Sequence, residues 1–255
     1  MIISHRYRFI FIKTTKVGGT SLELYLSSVC SDSAVVTPFW HPENGHQPRN
    51  YTNFFNPIPE LQKRVKHQER KLDHGIRRTV NEFVRGEKFY EPIPAWQIKC
   101  RVPSEIWNNY YKFTIERNPF DKVTSRYFHS KRVYEKKYND VLTFDKWYNY
   151  FKDRINKPWV TKAWGSEAPF NYPRYADPWT NEILVDRILR YENLTDELVE
   201  IFKLLGVPLA GQIPYHAKGQ YRKKGVGYKE LIPDKHLDEI HHIFKPELSL
   251  MNYSY

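Results

Sequence analysis

The segment that most constrains this chain is residues 7–29. Tyr7 to Ile12 (YRFIFI) is an apolar run that reads as a buried strand. It leads through Lys16-Val17-Gly18-Gly19 into a helical pattern, with Leu22, Tyr25, Leu26 and Val29 at i, i+3, i+4 and i+7. A strand that enters a helix through glycines makes an anion site. The amides of the first helical turn lack internal acceptors, and the helix dipole is positive there. Gly18 and Gly19 let the backbone approach an anion closely. Lys16 adds a mobile positive charge, and Thr20 and Ser21 add hydroxyl donors. The order GxxxxGK[ST] is absent, because the lysine precedes the glycines; an ATPase-type phosphate loop is therefore disfavoured.

The strand–turn–helix pattern recurs. Residues 110–116 (YYKFTIE) read as a second strand. Asn118-Pro119 then supplies a helix N-cap and a proline at the first helical position, ahead of a stripe of Phe120, Val123 and Tyr127. Residues 183–191 (ILVDRILRY) read as a third strand. A helix over 194–205 follows, carrying Leu194, Leu198, Ile201 and Leu205 and stopped by Gly206 and Pro208. A last helix carries Leu237, Ile240 and Phe244. This alternation predicts an α/β chain with a parallel sheet flanked by helices. Residues 38–60, rich in Pro, Asn and aromatics, read as irregular, and the charged stretch 60–90 as helical.

Lys and Arg number 40 against 29 Asp and Glu, a formal net charge of +11. Such a balance favours anionic partners without choosing among nucleotide phosphates, acidic glycans, nucleic acid and acidic membrane. Cys30 and Cys100 are the only cysteines, too few for a disulfide framework or a zinc site, and read as reduced thiols. The sequence contains no apolar run of the ~18 residues a membrane span needs, and the apolar run at 9–12 is too short for a signal-peptide core. The expectation is one soluble, cytoplasmic domain over residues 1–255, with no metal.

Two further segments carry anion-binding character. In ERNPFDKVTSRY (116–127), Arg117 stands at the strand end, suited to bidentate phosphate pairing, and Ser125 falls off the apolar stripe eight residues later. In YRKKGVGYK (221–229), Arg222, Lys223 and Lys224 stand beside Gly225 and Gly227. Taken singly, each is also compatible with a capped helix or a charged surface loop.

Together these segments resemble the sulfotransferases that use 3'-phosphoadenylyl sulfate (PAPS), the carbohydrate-sulfating branch in particular. The resemblance rests on KVGGTSL at 16–22, on Arg117-Asn118-Pro119 with Ser125, on YENL at 191–194 with LGVP at 205–208, and on KPELSLMNY at 245–253. The loop KKGVGYK at 223–229 is similar to the Arg-Lys-Gly loop of cytosolic members. It implies a three-layer fold like that of the P-loop proteins. It implies that Lys16 contacts the bridging and sulfuryl oxygens of the donor. Val17, Gly18, Gly19, Thr20 and Ser21 would hold the 5'-phosphosulfate, and Arg117 and Ser125 the 3'-phosphate with Arg222 and Lys224. The acceptor is a hydroxyl, of a carbohydrate by this resemblance, bound near the segments 38–95 and 130–180. No metal is required, because protein cations neutralise the leaving phosphate.

The chain departs from the family at two places. Thr15 stands where proline is frequent, and Cys100 where a histidine is expected. A sugar hydroxyl needs a positioned base, so His41, Glu43, His46, His67 and His74 are all candidates. His41 and Glu43, 25 and 27 residues after Lys16, are favoured because some family members carry a glutamate base a little over twenty residues after the lysine. Trp159, Trp164, Phe170, Tyr172, Tyr175 and Trp179 are candidates for stacking on sugar rings, and Glu192 for a structural hydrogen bond. The competing readings are a P-loop nucleotide kinase, which the lysine order disfavours, and a non-catalytic polyanion or nucleic-acid binder, for which no recognition motif is present.

Overall fold

The computed structural model describes residues 1–39, 43–69, 72–155, 170–209 and 227–255. Its five strands are β1 (Ile2–Ser4), β2 (Phe9–Phe11), β3 (Val35–Val36), β4 (Tyr111–Glu116) and β5 (Arg187–Arg190). The helices are α1 (Gly19–Val29), α2 (Ile58–Lys66), α3 (Leu72–Val84), α4 (Ala95–Arg101), α5 (Ser104–Asn109) and α6 (Pro119–Tyr138). They continue with α7 (Phe144–Ile155), α8 (Tyr172–Tyr175), α9 (Leu194–Leu205), α10 (Tyr228–Leu231), α11 (Leu237–Ile243) and α12 (Lys245–Met251).

The strands form one sheet in the order β3-β1-β2-β4-β5. β2, β4 and β5 are the three strands read from the sequence, and they pair in parallel, Phe11 opposite Phe113 and Glu116 opposite Arg190. β1 and β3 extend the sheet antiparallel at the β2 edge. Both are too short to show an apolar period, which is why the pattern missed them.

Alternation along β2 assigns its two faces. Phe9 and Phe11 pack with Phe113, Ile115 and Leu189 against Leu22 and Leu26 of α1 and Leu198, Ile201 and Phe202 of α9. Ile10 and Ile12 face the other way, against Ile93, Trp96 and Ile98 around α4 and Trp107 of α5. Helices therefore cover both faces, and the architecture is the expected three-layer α/β one. Each fully buried Leu, Ile or Phe at these contacts contributes roughly 1.5–3 kcal/mol relative to exposure. A third cluster is helical, built from Phe120, Val123 and Tyr127 of α6, Trp147, Tyr148 and Phe151 of α7, and Ile240, Phe244 and Leu248 near the end of the chain.

Local signals set the helix ends. The Asn118 side chain accepts from the Phe120 N–H at 3.0 Å, capping α6 with Pro119 in its first turn. α9 runs over residues 194–205 as its pattern predicts, and Gly206 ends it in the left-handed conformation at φ 67°. Tyr25 of α1 stacks on Phe202 of α9 and donates to the Pro208 carbonyl at 2.6 Å, so the segment LGVP anchors the glycine-turn helix. Among the described residues no helix is long and apolar enough to cross a membrane.

Candidate active site

The site is built where β2 and β4 end. The Thr14 hydroxyl donates to the Ile115 carbonyl at 2.5 Å, tacking the loop after β2 to β4. The Asn171 side chain then holds Thr15 from both sides. Its Oδ1 accepts from the Thr15 N–H at 2.9 Å, and its Nδ2 donates to the Thr15 carbonyl at 3.1 Å. Lys16 follows at φ 62° and Gly18 at φ 73°. The left-handed lysine is a strained conformation for a residue with a Cβ. These two reversals turn the chain into α1, with Gly18 as its N-cap. The first-turn amides of Gly19 and Thr20 thus open from the loop that carries Lys16, while the Ser21 N–H donates to the Gly18 carbonyl at 3.1 Å and the Val17 side chain is buried in the sheet core. A Cβ on Gly18 would stand 3.0 Å from the Tyr191 ring.

Arg117 extends from the end of β4 towards the same loop. Its guanidinium pairs with Asp121 (Nε to Oδ2 2.7 Å), donates to the Lys16 carbonyl at 3.4 Å, and lies 4.2 Å over the Tyr191 ring. Ser125 is half-buried on α6, one helical turn beyond Asp121, so helix geometry sets it on the same side. The first two anion-binding segments are therefore in contact. The YENL segment joins them: Glu192 accepts from the Asn118 N–H at 2.8 Å and from the Tyr253 hydroxyl at 2.9 Å.

A buried charge network supports this frame. Glu116, fully buried, accepts from Lys122 Nζ at 2.8 Å, Asn171 Nδ2 at 3.2 Å and the Tyr175 hydroxyl at 3.0 Å. Glu247 accepts from the Asn171 N–H at 2.9 Å, and burial, opposed by the Lys122 charge and aided by that of Glu116, pushes its carboxyl upward. Lys16, Lys122, Val123, Arg126, Phe151 and Phe244 line one small cleft. Arg174, buried nearby, is pushed down to about 10 by desolvation and then by the like charge of Arg126.

The sequence did not single out Lys13, Glu91, Asn171 or Arg174. Lys13 Nζ reaches Glu23 at 2.8 Å, contacts Glu91, and stands 4.0 Å over the Phe39 ring. Asn171 lies within an aromatic-rich stretch with no periodicity. Only its proximity in the fold to Thr15, 156 residues away, gives it meaning.

The candidate bases are scattered. His41, with Arg222 and Lys224 of the basic loop, lies outside the described residues. Glu43 is half-buried in a turn closed by the His46 N–H on its carbonyl at 3.2 Å. The His46 ring stacks on Phe39 and its Nε2 meets the Thr37 carbonyl at 2.8 Å. His67 stacks on Trp179, and His74 is exposed on α3. Cys100 faces Glu60 and Lys63 of α2, and burial pushes its thiol up to about 11. Among the aromatics read as a sugar platform, Tyr175 is fully buried, Phe170 packs on Phe244 and Trp179 on Trp96. Trp159 and Trp164 lie outside the described residues.

The fold and this loop define an α/β protein with a phosphate-type loop at the carboxyl ends of its parallel strands, where such sheets bind ligands. The sequence model of the sulfotransferase family matches residues 1–254, essentially the whole chain, and the chain belongs to that family. It is also similar to an uncharacterized protein of Archaeoglobus fulgidus, 36% identical over 135 residues that make up 51% of this chain and 98% of the relative. No solved structure matches it significantly.

Proposed function

We propose that this sulfotransferase takes its sulfuryl group from PAPS and passes it to a hydroxyl, that of a carbohydrate. The observation that carries the donor reading is the contact of Arg117 with the Lys16 carbonyl at 3.4 Å. It joins a loop suited to a 5'-phosphosulfate to a cation suited to a 3'-phosphate. The residues fit such a donor on structural grounds. A Cβ on Gly18 would fill the space against Tyr191, so glycine leaves backbone amides accessible there.

When bound, PAPS supplies an activated sulfuryl group on a phosphate leaving group. Lys16 stabilises the charge that grows on that phosphate, and the amides of Val17 to Thr20, with the Thr20 and Ser21 hydroxyls, fix its direction. Arg117 and Ser125, helped by Arg222 and Lys224, orient the nucleotide. Positioning and preorganised charge are what such in-line transfers need most. The carbohydrate reading is supported by the sequence resemblance and the net charge of +11, which suits an acidic glycan.

The test is binding followed by transfer. Adenosine 3',5'-bisphosphate should raise the melting temperature more than ATP does, and labelled PAPS should pass label to a glycan in a panel of glycans, phenols and lipids. A shift with ATP and none with saturating adenosine bisphosphate overturns the reading.

A further inference from the structure

We propose that Glu91 is the group that takes the proton from the acceptor hydroxyl; this rests on the sulfuryl-transfer reading above. Glu91 lies in the well-anchored stretch that joins α3 to α4. Phe89 and Ile93 on either side are buried, and the Phe89 N–H donates to the Tyr51 carbonyl at 2.9 Å. Its side chain is 15% exposed. One carboxylate oxygen, Oε1, contacts Lys13 Nζ. The other, Oε2, is buried and accepts no hydrogen bond. A buried carboxylate oxygen without a donor costs free energy and calls for an explanation. A hydroxyl donor supplied by a bound acceptor is one that fits.

Lys13 fixes where that oxygen stands. Its Cγ lies 3.4 Å from the place a Cβ would occupy on Gly19, the first residue of α1. Glu91 is therefore held one lysine side chain away from the first-turn amides of the phosphate-type loop. Arg174 feels the charges of both Glu91 and Arg126. Arg126 lines the cleft that holds Lys16. The charges of Glu91 and of Arg126, beside Lys16, thus act on one buried residue, Arg174.

The other described bases are worse placed. His46 stacks 3.6 Å from Phe39, and Lys13 lies 4.0 Å over the same ring. One ring face cannot hold both, so Phe39 separates His46 from Lys13. Cys100 faces α2.

In the step, the acceptor oxygen forms the new O–S bond as the S–O bond to the 5'-phosphate breaks, and that electron pair stays on the phosphate. The hydroxyl proton passes to Glu91 Oε2 and then to water. The products are a sulfate ester, adenosine 3',5'-bisphosphate and one proton.

The experiment measures consumption of labelled PAPS by the whole chain, with water alone and with the acceptor panel, alongside the melting shift given by adenosine 3',5'-bisphosphate. Glu91→Gln should lower consumption about 100-fold or more, the range of a lost general base, and leave the melting shift unchanged. His46→Gln should change the rate less than about twofold. If Glu91→Gln fails to fold, Glu91→Asp, which keeps the charge beside Lys13 and withdraws it by one methylene, should bind normally and turn over at least about tenfold more slowly. Unchanged consumption in either folded variant overturns the proposal, as does a larger loss in His46→Gln. A wild-type chain that binds the bisphosphate and moves sulfuryl to no acceptor, water included, overturns it too. Absence of any bisphosphate shift in the wild type sinks the donor reading instead.

Discussion

Asn171 grips Thr15 at both its N–H, 2.9 Å, and its carbonyl, 3.1 Å, as a neighbouring strand would. Asn171 is itself fully buried and held by Glu247 and Glu116. The residue before Lys16 is therefore fixed by a side chain 156 residues further along the chain. Asn171→Ala removes the partners of two backbone groups, at about 1–3 kcal/mol each where they stay unsolvated. We expect a lower urea midpoint and adenosine bisphosphate binding weakened at least about tenfold by calorimetry. A variant with unchanged midpoint and affinity would show that the loop holds its shape alone.

Arg117→Lys keeps a charge and loses the planar fork. If the fork reads the 3'-phosphate, the variant loses about 10–100-fold in affinity for adenosine 3',5'-bisphosphate, the worth of one or two charge-assisted hydrogen bonds. Affinity for adenosine 5'-phosphate, which lacks that group, should change little. Ser125→Ala should move the ratio the same way by a smaller factor. Equal losses for both ligands would reassign Arg117 to holding the Lys16 carbonyl and Asp121.

The parallel strands, the α6 cap and the end of α9 were legible because each is a local signal: an apolar run, Asn-Pro, and a Leu period ending at Gly206. The loop was legible because glycines before a helix have a definite physical use. What stayed hidden depends on distance in sequence. β1 and β3, of three and two residues, are held by pairing with strands already formed. Lys13 and Glu91, 78 positions apart, look like ordinary surface charges until the fold buries them together. The aromatics near 175 had the composition of a binding platform, yet Tyr175 is spent inside the molecule on Glu116. Composition cannot tell a packed ring from a presented one.

Glu60 makes stability sensitive to acid. It is fully buried and accepts from Arg64 at 2.8 Å, Thr79 at 2.6 Å, Gln97 at 2.6 Å and Arg101 at 2.8 Å. Burial alone would raise its carboxyl, but Arg101, Arg64 and the Thr79 hydroxyl outweigh it and hold it at about 2 against an ordinary 4.5. A depressed carboxylate stabilises fully above the unfolded value and loses that contribution as pH falls through the folded one. The window is pH 4.5 down to about 2, and the contribution is on the order of 3 kcal/mol. Urea melts of wild type and Glu60→Gln should therefore converge as pH drops from 5 towards 2. A constant gap between them would show that the cluster does not titrate in this range.

Lys16 and Gly18 make opposite predictions about stability at neighbouring left-handed positions. Lys16 carries a Cβ at φ 62°, a conformation that costs a non-glycine residue about 1–2 kcal/mol. Strain of this kind gathers where function requires a particular side chain. Lys16→Gly should leave the melting temperature equal or higher while sulfuryl transfer falls by about 10² or more, because the charge that stabilises the leaving phosphate is gone. Gly18→Ala adds the same backbone strain and sets a methyl 3.0 Å from the Tyr191 ring, so it should lower the melting temperature and weaken bisphosphate binding. If Lys16→Gly is instead less stable than Lys16→Ala, the lysine backbone is not strained, and its conformation says nothing about its use.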